Sequence, residues 1–246
     1  MDMSALKINT FNSLPRSDAD TIRQYLQIQT LRKRPKSSAP SLVYDRVKTV
    51  VLDSLLPVGT RLEPGAIAKL VGFGLTPSRE ALIRLAAERI IAFVPGNGFF
   101  LPLPDLRETL ALFEFGLGLL THCVHLFQSP LDSLHDYQAA AQMEESTPDI
   151  AAEIVEQFHL SLATHSENVV VVETMTNFLA RTRRIRVEEL RDPTAREFQK
   201  GLIREVSKHL ASLQIEDALR LLENDHRRRK ASTVRTIQTM VSSSLL

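Results

Sequence analysis

Glycine is unevenly placed in this chain: six of the nine lie between Gly59 and Gly98, and the 128 residues after Gly118 contain only Gly201. Glycine marks turns and strand corners, so a long stretch almost without it favours continuous helices joined by brief connections. The 246 residues thus divide into a turn-rich early part and a helix-rich late part. Within Leu101-Pro-Leu-Pro-Asp105, Pro102 and Pro104 remove two backbone donors and favour extended chain, which puts the boundary there. The expected organisation is a flexible basic extension over 1–41, one domain over 42–102 and a helical domain over 105–246. The expected class is mainly α.

Charge follows the same division. The whole chain is nearly balanced, with 30 Lys and Arg against 29 Asp and Glu. Residues 1–102 nevertheless carry fourteen basic and eight acidic side chains, and residues 103–246 carry sixteen and twenty-one. Such an asymmetry points to a polyanionic partner at one end of the molecule. In the extension, a short helix is expected from Ser17 to Leu31, followed by the basic run Arg32-Lys-Arg-Pro-Lys36, which reads as a solvated tail. The single cysteine, Cys123, cannot form an internal disulfide and fits a reducing, cytoplasmic setting. No apolar run approaches the ~20 residues that cross a bilayer, and Met1–Asp20 lacks the pattern of a secretory leader, so no membrane partner is expected.

Between Ser41 and Leu103 the local signals are dense. Leu42, Val43, Val47, Val50, Val51, Ser54 and Leu55 recur at helical spacing and predict a first helix ending before Pro57. A second runs from about Glu63 to Val71 with Pro64 at its first position and Ile67, Ala68 and Leu70 inward. After the tight Gly72-Phe-Gly-Leu75 connection, Thr76-Pro77 supplies an N-cap and an N1 proline for a third helix through Glu88. Ile90–Val94 and Phe99–Leu103 flank Pro95-Gly-Asn-Gly98, where Asn-Gly signals a hairpin. Three helices and a hairpin make a winged helix-turn-helix.

That arrangement suits double-stranded DNA. The start of the third helix carries Thr76, Ser78 and Arg79, offering unpaired backbone N–H groups to a phosphate, short hydroxyls, and a guanidinium that spans a guanine edge. The hairpin tip, with Asn97 and Gly98, is small enough to approach a minor groove.

The segment Ile67-Ala-Lys-Leu-Val-Gly-Phe-Gly-Leu-Thr-Pro-Ser-Arg-Glu-Ala-Leu82 resembles the helix-turn-helix of GntR-type bacterial transcription regulators, and the likeness extends through the wing. It implies an operator-binding regulator, a repressor by expectation. One departure stands out. Members usually carry an arginine before Thr-Pro, and here that place is Leu75, which can touch a thymine methyl but cannot hydrogen-bond a guanine. Arg79 stands at the family's second DNA-contacting arginine.

Beyond Pro104 six helices are expected, over 105–127, 131–143, 149–166, 168–190, 194–213 and 215–241. Ile150, Ile154, Phe158 and Leu162 form a stripe on the third. The run Val169–Val172 suits a strand by β-branching alone, yet Met175, Phe178, Leu179 and Ile185 prolong an apolar face at helical period. The helical part resembles the C-terminal ligand-sensing (FCD) domain of the FadR subfamily through Phe158-His159, Asn168 and His226. The resemblance implies a homodimer and a divalent metal, held by an aspartate one helical turn before the first histidine and by two later histidines, that receives a carboxylate effector. Here the aspartate's place is Val155, with Glu156 as an imperfect substitute, and counting back from His226 lands on Arg204 rather than on a histidine; His209 fits only with a shifted register. The expected ligand set is therefore His159, Arg204 and His226, with Arg204 able to bind a carboxylate bidentately without any cation. A retained metal would rest on His159 and His226.

Other clusters read more plainly. His122 and His125, flanking Cys123, sit at i, i+3 and would need further ligands to hold zinc. Arg181, Arg183, Arg184 and Arg186, like Arg227–Lys230, read as solvated helix faces. A different class of function, a metal-dependent hydrolase built on the helical bundle, would draw on His135, Asp136, His159 and His226, but it leaves the winged helix unexplained.

Overall fold

The computed structural model describes residues 39–52, 56–127, 138, 140–143 and 145–243. They divide into two compact units, one holding the described residues up to Leu103 with 241–243, the other Pro104–Met240. Most of the N-terminal extension and most of the helix expected over 131–143 lie outside the described residues.

In the first unit, α1 (Ala39–Leu52) turns Val43, Val47, Val50 and Val51 inward at i, i+4, i+7 and i+8. Next come β1 (Arg61–Leu62) and α2 (Pro64–Val71), which starts on Pro64 and buries Ile67, Ala68, Leu70 and Val71. It stops at Gly72, whose φ of +75° suits glycine and whose N–H donates to Ala68 O at 3.0 Å. α3 (Leu75–Ala87) follows, and then β2 (Ala92–Val94) and β3 (Gly98–Phe100). The sheet is antiparallel in the order β1-β3-β2, with Phe99 opposite both Leu62 and Phe93. The third strand, β1, was not expected: two residues show no alternation, and pairing with β3 creates it. Gly59 N donating to Leu101 O and Leu101 N to Thr60 O, both at 2.9 Å, prolong that pairing.

The second unit is built from α4 (Leu106–His125), α5 (Pro148–His165), α6 (Val169–Glu189), α7 (Pro193–Ala211) and α8 (Ile215–Ser243), as far as Met240. Side-chain caps set four of the starts. Asp105, Thr147, Asn168 and Asp192 accept N–H bonds from Glu108, Ile150, Val170 and Thr194. The Asn168 cap lies directly ahead of the valine run, and burial of Val171, Met175, Phe178, Thr182 and Ile185 on one face makes that run helical despite its β-branching. On α5 the inward face is Ala151, Ile154, Val155, Phe158 and Leu162, while Ile150 is 45% exposed, so the expected stripe begins one turn later. No described helix is long and apolar enough to cross a membrane.

Candidate nucleic-acid interface and internal cavity

The surface of α3 follows from its register. Gly74 occupies the N-cap and offers no side-chain acceptor, so Thr76 and Pro77 lie inside the first turn rather than at the cap and N1 as expected. Ser78, Ala81, Leu82 and Leu85 form the inward stripe at i, i+3, i+4 and i+7. This corrects the place of Ser78: it is 0% exposed, its Oγ has no hydrogen-bond partner, and it cannot present a hydroxyl to solvent. The outward face is Leu75, Thr76, Arg79, Glu80 and Ile83. Arg79 makes no hydrogen bond or ion pair among the described residues. Arg84 is committed: its guanidinium stacks 3.9 Å from the Tyr44 ring centre and its Nε donates to Glu88 at 3.0 Å. Tyr44 also donates to Glu88, and burial together with that carboxylate raises the phenol pKa. Arg46 fixes the connection from α2 by stacking on Phe73 at 5.2 Å and donating to Val71 O at 3.3 Å.

At the hairpin, Asn97 N donates to Val94 O at 2.9 Å across Pro95 and Gly96, and Gly96 has φ +80°. Proline second and glycine third is the pattern of a type II turn. The reversal therefore uses Pro95-Gly96 rather than the expected Asn-Gly step, and Asn97 is exposed beside it with Gly98 half-buried.

The second unit carries a half-open pocket of about 30 Å³. One wall is aromatic, with Phe113 and Phe178 beside Gly116, and the polar lining is His159, Asp225, His226 and Arg229. His159 is 4% exposed and its Nδ1 has no partner. Burial, and then the charges of Arg186 and Arg229, hold its pKa well below the usual 6.5, so the ring is neutral at pH 7. Arg229 lies 4.2 Å from the Phe113 ring centre and its Nε donates to Glu189 at 3.1 Å. Burial opposes its charge, but Glu189 and Asp225 outweigh that and raise the pKa. Its Nη2 is 3.0 Å from the same carboxylate yet out of hydrogen-bond alignment. Asp225 accepts from Gln199 Nε2 at 2.8 Å and Arg228 at 3.2 Å. Arg186, 2% exposed, donates to Glu156 at 2.6 Å and to Thr182 Oγ1 at 2.7 Å; burial lowers its pKa to about 10, which leaves it charged.

Residues 41–101 match the family model of bacterial regulatory proteins, gntR family. Those residues form a gntR-family helix-turn-helix domain. The comparison with curated proteins gave no match. Among solved structures, a putative GntR transcriptional regulator from Rhodococcus sp. RHA1 is 18% identical with a TM-score of 0.69, covering 80% of this chain and 98% of that one. McbR/YncC of E. coli is 19% identical with a TM-score of 0.62, covering 81% and 98%. Lar, described as controlling expression of the Listeria monocytogenes agr system, is 17% identical with a TM-score of 0.54, covering 82% and 99%. At such identities the likeness is one of fold.

Within the gntR-type domain, Leu75, Thr76, Arg79 and Asn97 are at the surface, and Ser78 is not. In the second unit His159 and His226 share the cavity, whereas Arg204 is exposed and lines none of it. The reason is register: α7 turns Gln199, Leu202, Ile203, Val206 and Ser207 inward, and Arg204 falls off that stripe. His209 is bound instead to Gln214, 2.6 Å from its Nδ1. Glu156 is committed to Arg183 and Arg186. His122 and His125 are exposed while Cys123 is buried, and His135 and Asp136 lie outside the described residues. The residues present do not fit the subfamily's metal: Val155 offers no donor, two cations act on His159, and no group of three His, Cys, Asp or Glu suited to a metal occurs among the described residues. Sequence reasoning missed Arg186, Asp225 and Arg229, taking both arginine runs for solvated faces. Continuing the inward stripe of α8 from Ala218 and Leu222 reaches Asp225, Arg229, Thr233 and Thr236, all buried.

Proposed function

We propose that this protein is a DNA-binding transcription regulator that reads operator duplexes as a homodimer, in the manner of the FadR subfamily, and represses until an effector binds. What carries the reading is Arg79, exposed and without a partner among the described residues on the outward face of α3 within a gntR-type domain. Leu75, Thr76 and Arg79 enter the major groove, and Asn97 and Gly98 meet the backbone or minor groove beside it. A bidentate guanine contact by Arg79 contributes about 1–3 kcal/mol of discrimination. Selection from random duplexes should yield a preferred sequence with two related halves, bound more weakly as salt rises because phosphate contacts release counterions. Arg79→Ala should lose that preference while the protein stays folded by circular dichroism. Failure of the wild-type protein to retain any duplex at low salt would overturn the reading.

The effector in this proposal is a small carboxylate, bound in the cavity without a metal. Arg229 supplies the charge that Arg204 was expected to supply, and His159 Nδ1 and His226 supply hydrogen-bonding groups. The pocket is half-open, and a carboxylate entering it lies against the Phe113 and Phe178 wall. Release of DNA by a carboxylate should persist in chelator and disappear in Arg229→Met combined with Glu189→Gln, which relieves the stranded carboxylate; abolition by chelator alone would refute the metal-free site.

A further inference from the structure

The outward face of α3 contains an apolar group where a polyanion reader has no structural need of one. Leu75, the first residue of the helix, is 58% exposed, while the apolar residues that α3 needs for packing, Ala81, Leu82 and Leu85, are all buried. Its neighbours on that face are Thr76 and, one turn on, Arg79. Leucine offers neither donor nor acceptor, so the only base feature in the major groove that it can distinguish is the thymine 5-methyl group. We propose that Leu75 is a specificity-determining residue that selects a thymine by its methyl group, close to the guanine read by Arg79. This deepens the DNA-binding reading above and rests on it.

Geometry sets how close the two bases lie. Leu75 and Arg79 are four residues apart, which is about 6 Å along a helix axis at 1.5 Å per residue. Base pairs stack about 3.4 Å apart, so the selected thymine lies within about two base pairs of the guanine. Burying one methyl against leucine is worth about fourfold in affinity.

The test begins with the duplex that the full-length protein selects from random DNA, in which each thymine is replaced in turn by deoxyuridine, removing only the methyl group. The expected result is a loss of about fourfold at one thymine per half-site, within about two base pairs of the guanine to which Arg79→Ala becomes indifferent. Leu75→Ala should bind the thymine and uracil duplexes equally while still preferring that guanine. Ile83→Ala, an exposed apolar residue two turns from the helix start, should keep the methyl sensitivity. Sequence-specific binding with no sensitive thymine would overturn this inference and leave the DNA-binding reading standing. Sensitivity that survives in Leu75→Ala and vanishes in Thr76→Ser would overturn it in favour of the threonine methyl. No selected duplex at all would overturn both.

Discussion

Gly116 and Gly118 occupy the same helix two residues apart, and alanine at the two positions should act in opposite directions. In a helix interior, glycine to alanine gains about 0.5–1 kcal/mol from backbone entropy. At Gly118 a Cβ would meet nothing within 4 Å, so Gly118→Ala should keep that gain. At Gly116 a Cβ would stand 2.2, 2.6 and 2.9 Å from three carbons of the Phe178 ring. Ordinary carbon contacts begin near about 3.5 Å, so the ring must retreat by about 1 Å. Phe178 is 4% exposed and meets Phe115 edge-on at 6.5 Å, which leaves it little room. Overpacking of this kind costs about 1–3 kcal/mol, enough to cancel or exceed the entropic gain. Urea unfolding of the two variants, compared with the parent by far-ultraviolet circular dichroism, should place Gly118→Ala above it and Gly116→Ala level or below, about 1–3 kcal/mol apart. Adding Phe178→Leu to Gly116→Ala should return part of the loss. Equal stabilisation by both alanines would refute the assigned packing of α4 on α6.

Three further outcomes follow from the buried charges and the thiol. His159 titrates below 6.5 when folded, so the unfolded chain takes up a proton first as pH falls. Its contribution to stability is complete above about pH 6.5 and is lost on acidification, by up to about 1.4 kcal/mol per pH unit, and thermal midpoints between pH 5 and 7 should fall less steeply in His159→Gln; parallel slopes would count against the assignment. Arg229→Met strands the Glu189 carboxylate, whose side chain is 10% exposed, and should cost about 3–5 kcal/mol by chemical denaturation, most of it recovered when Glu189→Gln is added; a single variant no worse than the double would deny the pairing. Cys123 is 0% exposed and burial raises its thiol pKa to about 11, so iodoacetamide at pH 8 should label the unfolded chain and spare the folded one, and rapid labelling of the native protein would contradict the burial.

How far the fold could be read in advance depended on how local its causes are. Pro64, Gly72, Asn168 and Asp192 act on their own few neighbours, through a fixed φ, a left-handed φ or a cap hydrogen bond, and the helices begin and end beside them. β1 has no such local cause. Arg61 and Leu62 become a strand because Phe99 and Phe100 lie opposite, and a pairing across nearly forty residues leaves no mark in a two-residue window. The wing turn shows competition between two local signals: Pro95-Gly96 and Asn97-Gly98 both suit a reversal, and proline with its preset φ takes it.

The site was legible only where composition and register agreed. His159 follows Phe158 on a face of α5 that is apolar on both sides, so its burial could be inferred without any partner. Arg229 was hidden by its neighbours, because Arg227, Arg228 and Lys230 make the segment look like one solvated block, although only every third or fourth residue of a helix shares a face. Counting from Leu222 separates them: Asp225 and Arg229 turn inward, while Arg227 remains exposed, its side chain at 70%. The same count decides against Arg204, which falls between Ile203 and Val206 on α7 and faces away from both. A residue's place in a family's spacing is therefore only an expectation, and the helix register says whether the side chain found there reaches the pocket. Here the register takes Arg204 out of the pocket lining and places Arg229, stacked on Phe113, within it.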